Sequence, residues 1–335
     1  MDHLCERLRR LADEQNGVFS RAQALALGHS SKEVDWLVRR RAWTRVRHGV
    51  YAETDLWQNL DPEAQHLAKV RGVLLRCGAD LVVSHLSAVI LHGWPTWNVN
   101  LDNVWVTRKS LSQRSRAEAG VHHLIAELPA EDVIWIAGVP VTSPERTMVD
   151  FARMTGYESA VVSCDAALRS GANPQVVRQI FDRQAQWPGA RGAIRALAFA
   201  DARAESVGES RTRVLCYQEG LPTPRLQADL LGKGNRYLGR GDFLFEKEQT
   251  LVEFDGKMKY AAATLDSSGV ADEDPAELLF KEKRREDAIR EEAGLEVVRL
   301  VWSDLATPAR TAARIRAGFA RAALRRPAEK DAKAS

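Results

Sequence analysis

The chain is short of cysteine, of long apolar runs and of net charge, and each shortage removes a class of protein. Its four cysteines, Cys5, Cys77, Cys164 and Cys216, lie far apart and form no CxxC pair. Zinc ribbons and disulfide frameworks are therefore not expected, and a reducing cytoplasm suits the pattern. No segment approaches the ~18 uninterrupted apolar residues that cross a bilayer. The opening MDHLCERLRR has no apolar stretch behind its charges, so it does not read as a secretory signal. The expectation is a cytoplasmic protein with no membrane partner. With 48 Lys+Arg against 45 Asp+Glu, global charge names no partner, and any preference for nucleic acid has to come from local clustering. A chain of 335 residues, 45% apolar and 28% charged, has an ordinary soluble composition but exceeds one core, so two or three domains are expected.

Residues 1–55 read as three helices and a hairpin. Leu4, Leu8, Leu11 and Ala12 recur at helical spacing up to the stop signal Asn16-Gly17. Ser20 suits the cap of a second helix and Ser31 the cap of a third, whose buried face carries Val34, Leu37 and Val38. Trp43 to Val46 and Val50 to Ala52 alternate as two strands about a turn at residues 47–49. This order defines a winged helix-turn-helix. Six basic residues between positions 31 and 50 (Lys32, Arg39, Arg40, Arg41, Arg45, Arg47) stand against Glu33 and Asp35. The first turns of the third helix would enter a major groove, with Ser30, Ser31, Lys32 and Asp35 at base edges, while Arg45, Arg47 and His48 on the wing meet phosphates.

Residues 62–182 mix strands (Leu81 to Ser84, Val104 to Thr107, Val133 to Ile136) with helix (Val161 to Leu168) and read as a central α/β domain. His85 and His92 lie two helical turns apart, too far for joint metal ligation, and are expected in core or cap roles. His122 and His123 are neighbours on a strand and face opposite ways. Trp94, Trp97, Trp105 and Trp135 are expected to fill core, and Cys164 to be a buried thiol. Residues 183–206 read as a helical linker, 207–322 as a third domain, and 323–335 as a disordered tail.

The third domain runs helix (Glu209 to Glu219), strands (Arg225 to Leu230, Tyr237 to Phe245, Thr250 to Asp255), helix (Ala276 to Glu292), strand (Glu296 to Trp302), with a Ser/Gly/Asp-rich insertion over 261–275. A four-residue loop at 246–249 pairs Phe245 with Thr250 and sets Asp242 opposite Glu253. Alternation then puts Asp242, Glu253 and Asp255 on one face of the sheet. Opposed carboxylates destabilise a sheet by up to about 1 kcal/mol, and a hard divalent cation with oxygen ligands removes the conflict. Lys257 follows two residues on, placed to orient or deprotonate a water.

Two resemblances follow from these residues. Gly208 to Arg211 opening a helix, Gln227 on the first strand, Asp242 and Glu253 on the next two, and Lys281 to Asp287 on the second helix resemble the PD-(D/E)XK nuclease superfamily, in its very-short-patch-repair-like branch, over about residues 205–305. That resemblance implies Asp242 and Glu253 as core metal ligands and Glu209 as a further acid. Gly241 stands where many members carry proline, and Asp255 occupies the usual lysine position, displacing Lys257 by one strand repeat. The basic hairpin Arg45 to Tyr51, with Gly17 to Gln23, resembles the N-terminal domain of AbiEi-like type IV antitoxins, which bind DNA as repressors. Ser84 to Ala88 and Thr142 to Asp150 resemble the middle region of the same antitoxin-like proteins.

The combined reading is an α/β (α+β multidomain) chain: N-terminal winged helix-turn-helix, central α/β domain, C-terminal PD-(D/E)XK restriction-endonuclease-like domain. The expected activity is Mg²⁺- or Mn²⁺-dependent hydrolysis of DNA, in phage defence or repair. Asp242, Glu253 and Asp255 would bind metal, with Glu209 and Lys257 assisting and Lys283 and Arg284 on the phosphate backbone. Double-stranded DNA is the expected partner, and a cognate toxin or a second copy of the chain is a further one. The alternative reading is a non-catalytic regulator or antitoxin whose last domain only grips DNA.

Overall fold

A computed structural model describes residues 5–77, 80–108, 115–256 and 275–325, with the side chains of 275–279, 281 and 282 excluded. The chain divides into two units, residues 1–200 and 201–335, and the fold is the mixed α/β multidomain one expected.

The first unit opens with α1 (Glu6–Asp13), β1 (Val18–Ser20), α2 (Arg21–Ala26), α3 (Ser31–Arg39), β2 (Trp43–Arg47) and β3 (Val50–Glu53). The strands pair in the order β1-β3-β2, so the wing rests on a strand, Val18 to Ser20, that the sequence reading omits. Three residues are too few to show a period. Leu8, Phe19, Val34, Leu37, Trp43 and Tyr51 form the core of this module. Ser20 caps α2 as expected. The cap of α3 is Ser30, not Ser31: the Ser30 hydroxyl accepts the Glu33 N–H at 3.1 Å, and the Glu33 carboxylate accepts the Ser30 N–H in return. Both serines are good caps, but only Ser30 has a glutamate three residues on to return the bond; Ser31 has Val34 there. Two helices, α4 (Thr54–Asn59) and α5 (Pro62–Cys77), follow.

The central domain carries β4 (Leu81–Val83), α6 (His85–Leu91), β5 (Val104–Arg108), β6 (Arg116–Glu118), β7 (Val121–Ile125), β8 (Val133–Ile136), β9 (Val139–Thr142), α7 (Pro144–Met154), α8 (Tyr157–Arg169), α9 (Pro174–Arg183) and α10 (Ala190–Phe199). Its mixed sheet runs β6-β7-β5-β4-β9-β8. The inner strand β4 (Leu81–Val83) is apolar throughout because both its faces are covered. The segment expected as a linker is not one continuous helix. Ala190, Ala193 and Ala196 are buried on one face of α10, and their small side chains let it pack closely on α7 and α8.

Buried charge holds this domain together. Arg146 of α7, 3% exposed, donates from Nε to Asp150 at 2.8 Å and from Nη1 to Asp132 at 3.1 Å. Asp132 also takes Arg183 Nη2 at 2.8 Å on each oxygen, and Asp150 takes Arg153 Nη1 at 3.4 Å. Four segments are thereby tied: α7, α9, the end of α10's approach loop through Arg153 and Pro188, and the 3₁₀ turn Ala130–Asp132.

The second unit comprises α11 (Val207–Gln218), β10 (Arg225–Leu231), β11 (Tyr237–Phe245), β12 (Thr250–Phe254), α12 (Pro275–Glu292), β13 (Glu296–Leu300) and α13 (Pro308–Arg325). The strand order is β10-β11-β12-β13, antiparallel except for the parallel β12/β13 pair. One face buries Leu215, Phe243, Phe245, Val252 and Ile315, the other Leu244, Leu251 and Ile289. Helix α13 runs to Arg325, three residues into the segment read as a tail; 326–335 and the expected insertion up to residue 274 lie outside the described residues.

Among the described residues, replacing Arg146 by methionine leaves Asp150 buried with only the 3.4 Å contact to Arg153, and Asp132 with Arg183 alone. The expected loss is about 3–5 kcal/mol of stability, read as an earlier urea transition of the first unit, whereas Arg178→Met, in an exposed pair with Asp182, should cost about 1 kcal/mol or less.

Candidate functional site

Two sets of side chains on separate units carry the chemistry expected from the sequence. On the winged helix, Ser31, Lys32, Arg39, Arg40, Arg41, Arg45 and His48 are exposed. Val34 and Leu37 anchor α3 to the core, so its polar face is turned outward by the same pattern that buries the apolar one. Arg47 departs from expectation. The β2/β3 register shifts between Arg45 and Arg47, and a bulge of this kind re-aims the side chain that follows it. The Arg47 methylenes lie 3.5 and 3.8 Å from the position a Cβ would take on Gly72 of α5, so its stem packs inward instead of projecting from the wing.

Two residues of this surface were not singled out from sequence. Arg21, at the start of α2, donates to Asp35 Oδ1 (2.8 Å), Ser31 Oγ (2.6 Å), the Ser31 carbonyl (3.1 Å) and Tyr51 Oη (3.3 Å). It pins the first turn of α3 to β3, and its hydrogen bond holds the exposed Asp35 carboxyl below the usual carboxylate range. Ser31 and Asp35, expected at base edges, are thus engaged by a neighbour fourteen or fewer positions away whose role only folding reveals. Trp36 is 42% exposed on α3 with the Arg40 guanidinium 4.9 Å from its ring centre, a flat hydrophobic surface beside a cation.

In the second unit the register is the one expected: Phe245 pairs with Thr250 and Phe243 with Val252. Asp242 therefore stands across from Glu253. The two carboxylates nevertheless take different partners. Asp242 accepts the Phe254 N–H at 2.9 Å and lies 3.4 Å from Gln227 Nε2. Gln227 donates from the same nitrogen to Glu209 Oε2 at 2.8 Å. Glu253 accepts Arg285 Nη2 at 3.0 Å, and that nitrogen also reaches the Arg240 carbonyl at 2.9 Å. Asp255 lies just past β12, where its N–H donates to the Leu300 carbonyl. The acids brought together through a shared partner are thus Glu209 and Asp242, with Gln227 between them, while Glu253 is turned to α12. Lys257 lies outside the described residues. Lys283 and Arg284 are exposed on α12.

Glu209 reaches Asp242 because α11 begins very close to the end of β12. A Cβ on Gly208 would lie 1.9 Å from the Phe254 ring, so only glycine permits the approach. Glu209 also takes the Ser206 hydroxyl on Oε1 and the Glu205 N–H on Oε2. Burial raises the affinity of both Glu209 and Asp242 for a proton, and for Glu209 the nearby Asp242 charge adds to it. Gln227 holds a left-handed backbone, φ +48°, a strained conformation for a side chain of this size. Among the described residues no three His, Cys, Asp or Glu side chains are grouped as a ready metal cage.

These features define an exposed basic winged-helix surface in the first unit and a buried, amide-bridged carboxylate pair in the second. Residues 6–54 match the family described as "Transcriptional regulator, AbiEi antitoxin" and residues 82–199 match the "AbiEi antitoxin C-terminal domain". The first unit is AbiEi antitoxin-like in both of its domains. The uncharacterized proteins MT2308 and Rv2248 of Mycobacterium tuberculosis (strains CDC 1551 / Oshkosh and ATCC 25618 / H37Rv) are each 29% identical over 290 residues, covering 85% of this chain and 95% of theirs. A likeness of that length runs past residue 200 into the second unit. The crystal structure of the RV2827C protein from Mycobacterium tuberculosis covers 65% of this chain and 80% of that chain at 12% identity with a TM-score of 0.37, too slight a likeness to carry an argument.

The raised carboxyls make stability depend on pH with a definite sign. A buried carboxyl that holds its proton more tightly when folded stabilises the protonated state, so stability falls as pH rises from the ordinary values of 3.8 and 4.5 through the raised ones. Asp242→Asn should flatten this slope in urea unfolding of the second unit and raise its midpoint at neutral pH; a slope unchanged from wild type would contradict the assignment.

Proposed function

We propose that the chain is a DNA-binding transcriptional regulator of the antitoxin type, acting in the cytoplasm, with α3 set in a major groove and the β2–β3 wing against the backbone of double-stranded DNA. The observation that carries this reading is the exposed set Lys32, Arg39, Arg40, Arg41, Arg45 and His48 on one module whose opposite face is core. Charge of this kind supplies affinity by displacing counterions from phosphates. Lys32 at the first turn of α3 is the side chain best placed to read a base edge, since Arg21 occupies Ser31 and Asp35. The antitoxin likeness supports a cognate toxin as protein partner. Binding of the full chain to duplex from upstream of its own gene should weaken linearly with salt on a log–log scale. Arg39→Ala and Arg45→Ala should each lower the slope by about 1, and a flat plot would remove phosphate contact from the account.

A second reading, Mg²⁺- or Mn²⁺-dependent hydrolysis of DNA by the second unit, is favoured by one observation: Glu209 and Asp242 are buried acids sharing a single amide donor. The pair fits a magnesium ion, which commonly takes one or two carboxylates and completes its shell with water and substrate phosphate. Such an ion would polarise the scissile phosphate and supply an acidified water. Gln227 would keep both carboxylates aligned, Arg285 would either hold Glu253 aside or release it to the site, and Lys283 and Arg284 would face the phosphate backbone. Asp255 and Lys257 would assist at the end of β12. Full-length protein incubated with Mg²⁺ or Mn²⁺ should nick supercoiled or mismatched DNA, with cleavage lost on chelation and in Asp242→Ala. Cleavage that survives Asp242→Ala belongs to another site or another protein.

A further inference from the structure

The central domain carries an open cavity of ≈ 490 Å³ that neither reading uses. It lies within the range of small-molecule sites, ≈ 300–1,000 Å³. Its wall includes His85 at the start of α6, Trp105 of β5, Arg146, Asp150 and Arg153 of α7, and Trp187 in the loop before α10. The rest of the lining is mainly apolar.

The aromatic walls are held rigidly. Trp105 is stacked on His122 at 3.8 Å and on His85 at 5.7 Å between ring centres. Trp187 is held by the guanidiniums of Arg153 at 4.9 Å and Arg146 at 5.6 Å. Its loop closes onto α7 because Gly189 allows it: a Cβ there would lie 2.0 Å from the Arg153 carbonyl oxygen. The polar wall carries spare donors and spare charge. Arg146 and Arg153 use Nε and Nη1 on protein acceptors, and among the described residues neither Nη2 has a hydrogen-bond partner. The network sets three guanidiniums (Arg146, Arg153 and the half-exposed Arg183) against two buried carboxylates (Asp132, Asp150), leaving one positive charge. His85 does not add to it: burial lowers its pKa to about 4, so the ring is neutral. Its backbone is left-handed, φ +53°, a conformation that costs energy in a non-glycine residue and clusters at ligand sites.

From these features we infer that the cavity binds a small aromatic anion, its ring against Trp105 and Trp187 and its carboxylate or phosphate on the free Nη2 donors of Arg146 and Arg153. Planar guanidiniums recognise both anions, and pairs of N–H donors match their oxygens. An apolar wall alone would take a neutral aromatic equally well; the spare charge is what selects the anion. The site therefore binds charge and ring together, and loses affinity when either is missing.

Calorimetric titration of the full-length protein with naphthoate, naphthyl phosphate, naphthalenemethanol and cyclohexanecarboxylate tests this. At least one naphthyl anion should bind saturably at one per chain, the better of the two identifying carboxylate or phosphate as the natural group. The neutral alcohol and the non-aromatic acid should each bind at least about tenfold more weakly. Arg153→Gln and Trp187→Leu, checked for native circular dichroism, should each weaken the preferred anion about tenfold or more. The inference fails if neither naphthyl anion binds up to about 1 mM, if the alcohol binds as well as the acids, or if Arg153→Gln folds and binds unchanged. Should Trp187→Leu not fold, the ligand series and Arg153→Gln decide alone.

Discussion

Arg146 sets the terms on which the central domain exists. A guanidinium this far from water is tolerable only when its charge is paired, and the acids that take its Nε and Nη1, Asp150 and Asp132, are as buried as it is. Once those three are placed, Arg153 and Arg183 have to approach to balance the second carboxylate and close the third side. Removing Arg146 weakens the pairing of both acids at once, whereas removing Arg153 or Arg183 leaves each acid its bond to Arg146. The network also shapes space. Arg146 and Arg153 hold Trp187 by their faces, so the aromatic wall and the charged wall of the cavity are built by one set of contacts.

The second unit solves a similar problem differently. Glu209 and Asp242 are buried carboxylates bridged by the amide of Gln227 rather than by a guanidinium, and Arg285 is directed to Glu253. An amide donates a hydrogen bond but no charge, so the pair keeps its mutual repulsion and its raised proton affinity. This imbalance distinguishes it from the paired acids of the first unit. Strain marks both places: His85 at the cavity and Gln227 at the carboxylates each adopt a left-handed backbone.

Much of the local structure was legible from the residues. Two-residue alternation placed β11 and β12 and their register, because a one-residue slip would send Phe243 and Phe245 to the wrong face. Capping chemistry located α2, and the hydrophobic stripe of α3 told which face is outward. What escaped was whatever depends on distant partners. Arg21 reads as an ordinary exposed arginine until α3 folds across it, and Arg47 reads as a wing residue until a bulge turns it to α5. The central domain gave least: β6 and β9 are only three and four residues long, and the two halves of the charge network lie up to fifty-one positions apart.

The sequence by itself determined the helices and wing of the first module, the order from α11 to β13 in the second unit, the basic surface of the winged helix and the presence of acids at positions 209, 242, 253 and 255, since these follow from periodicity, caps and composition within short windows. Tertiary structure alone decided which of those acids meet. Asp242 and Glu253 are opposite in register, yet their carboxylates part because Phe254's N–H and Gln227 draw one, while Arg285, thirty-two residues from Glu253, draws the other. A strand pattern fixes where side chains start; the hydrogen-bond partners supplied by other elements fix where their charges end.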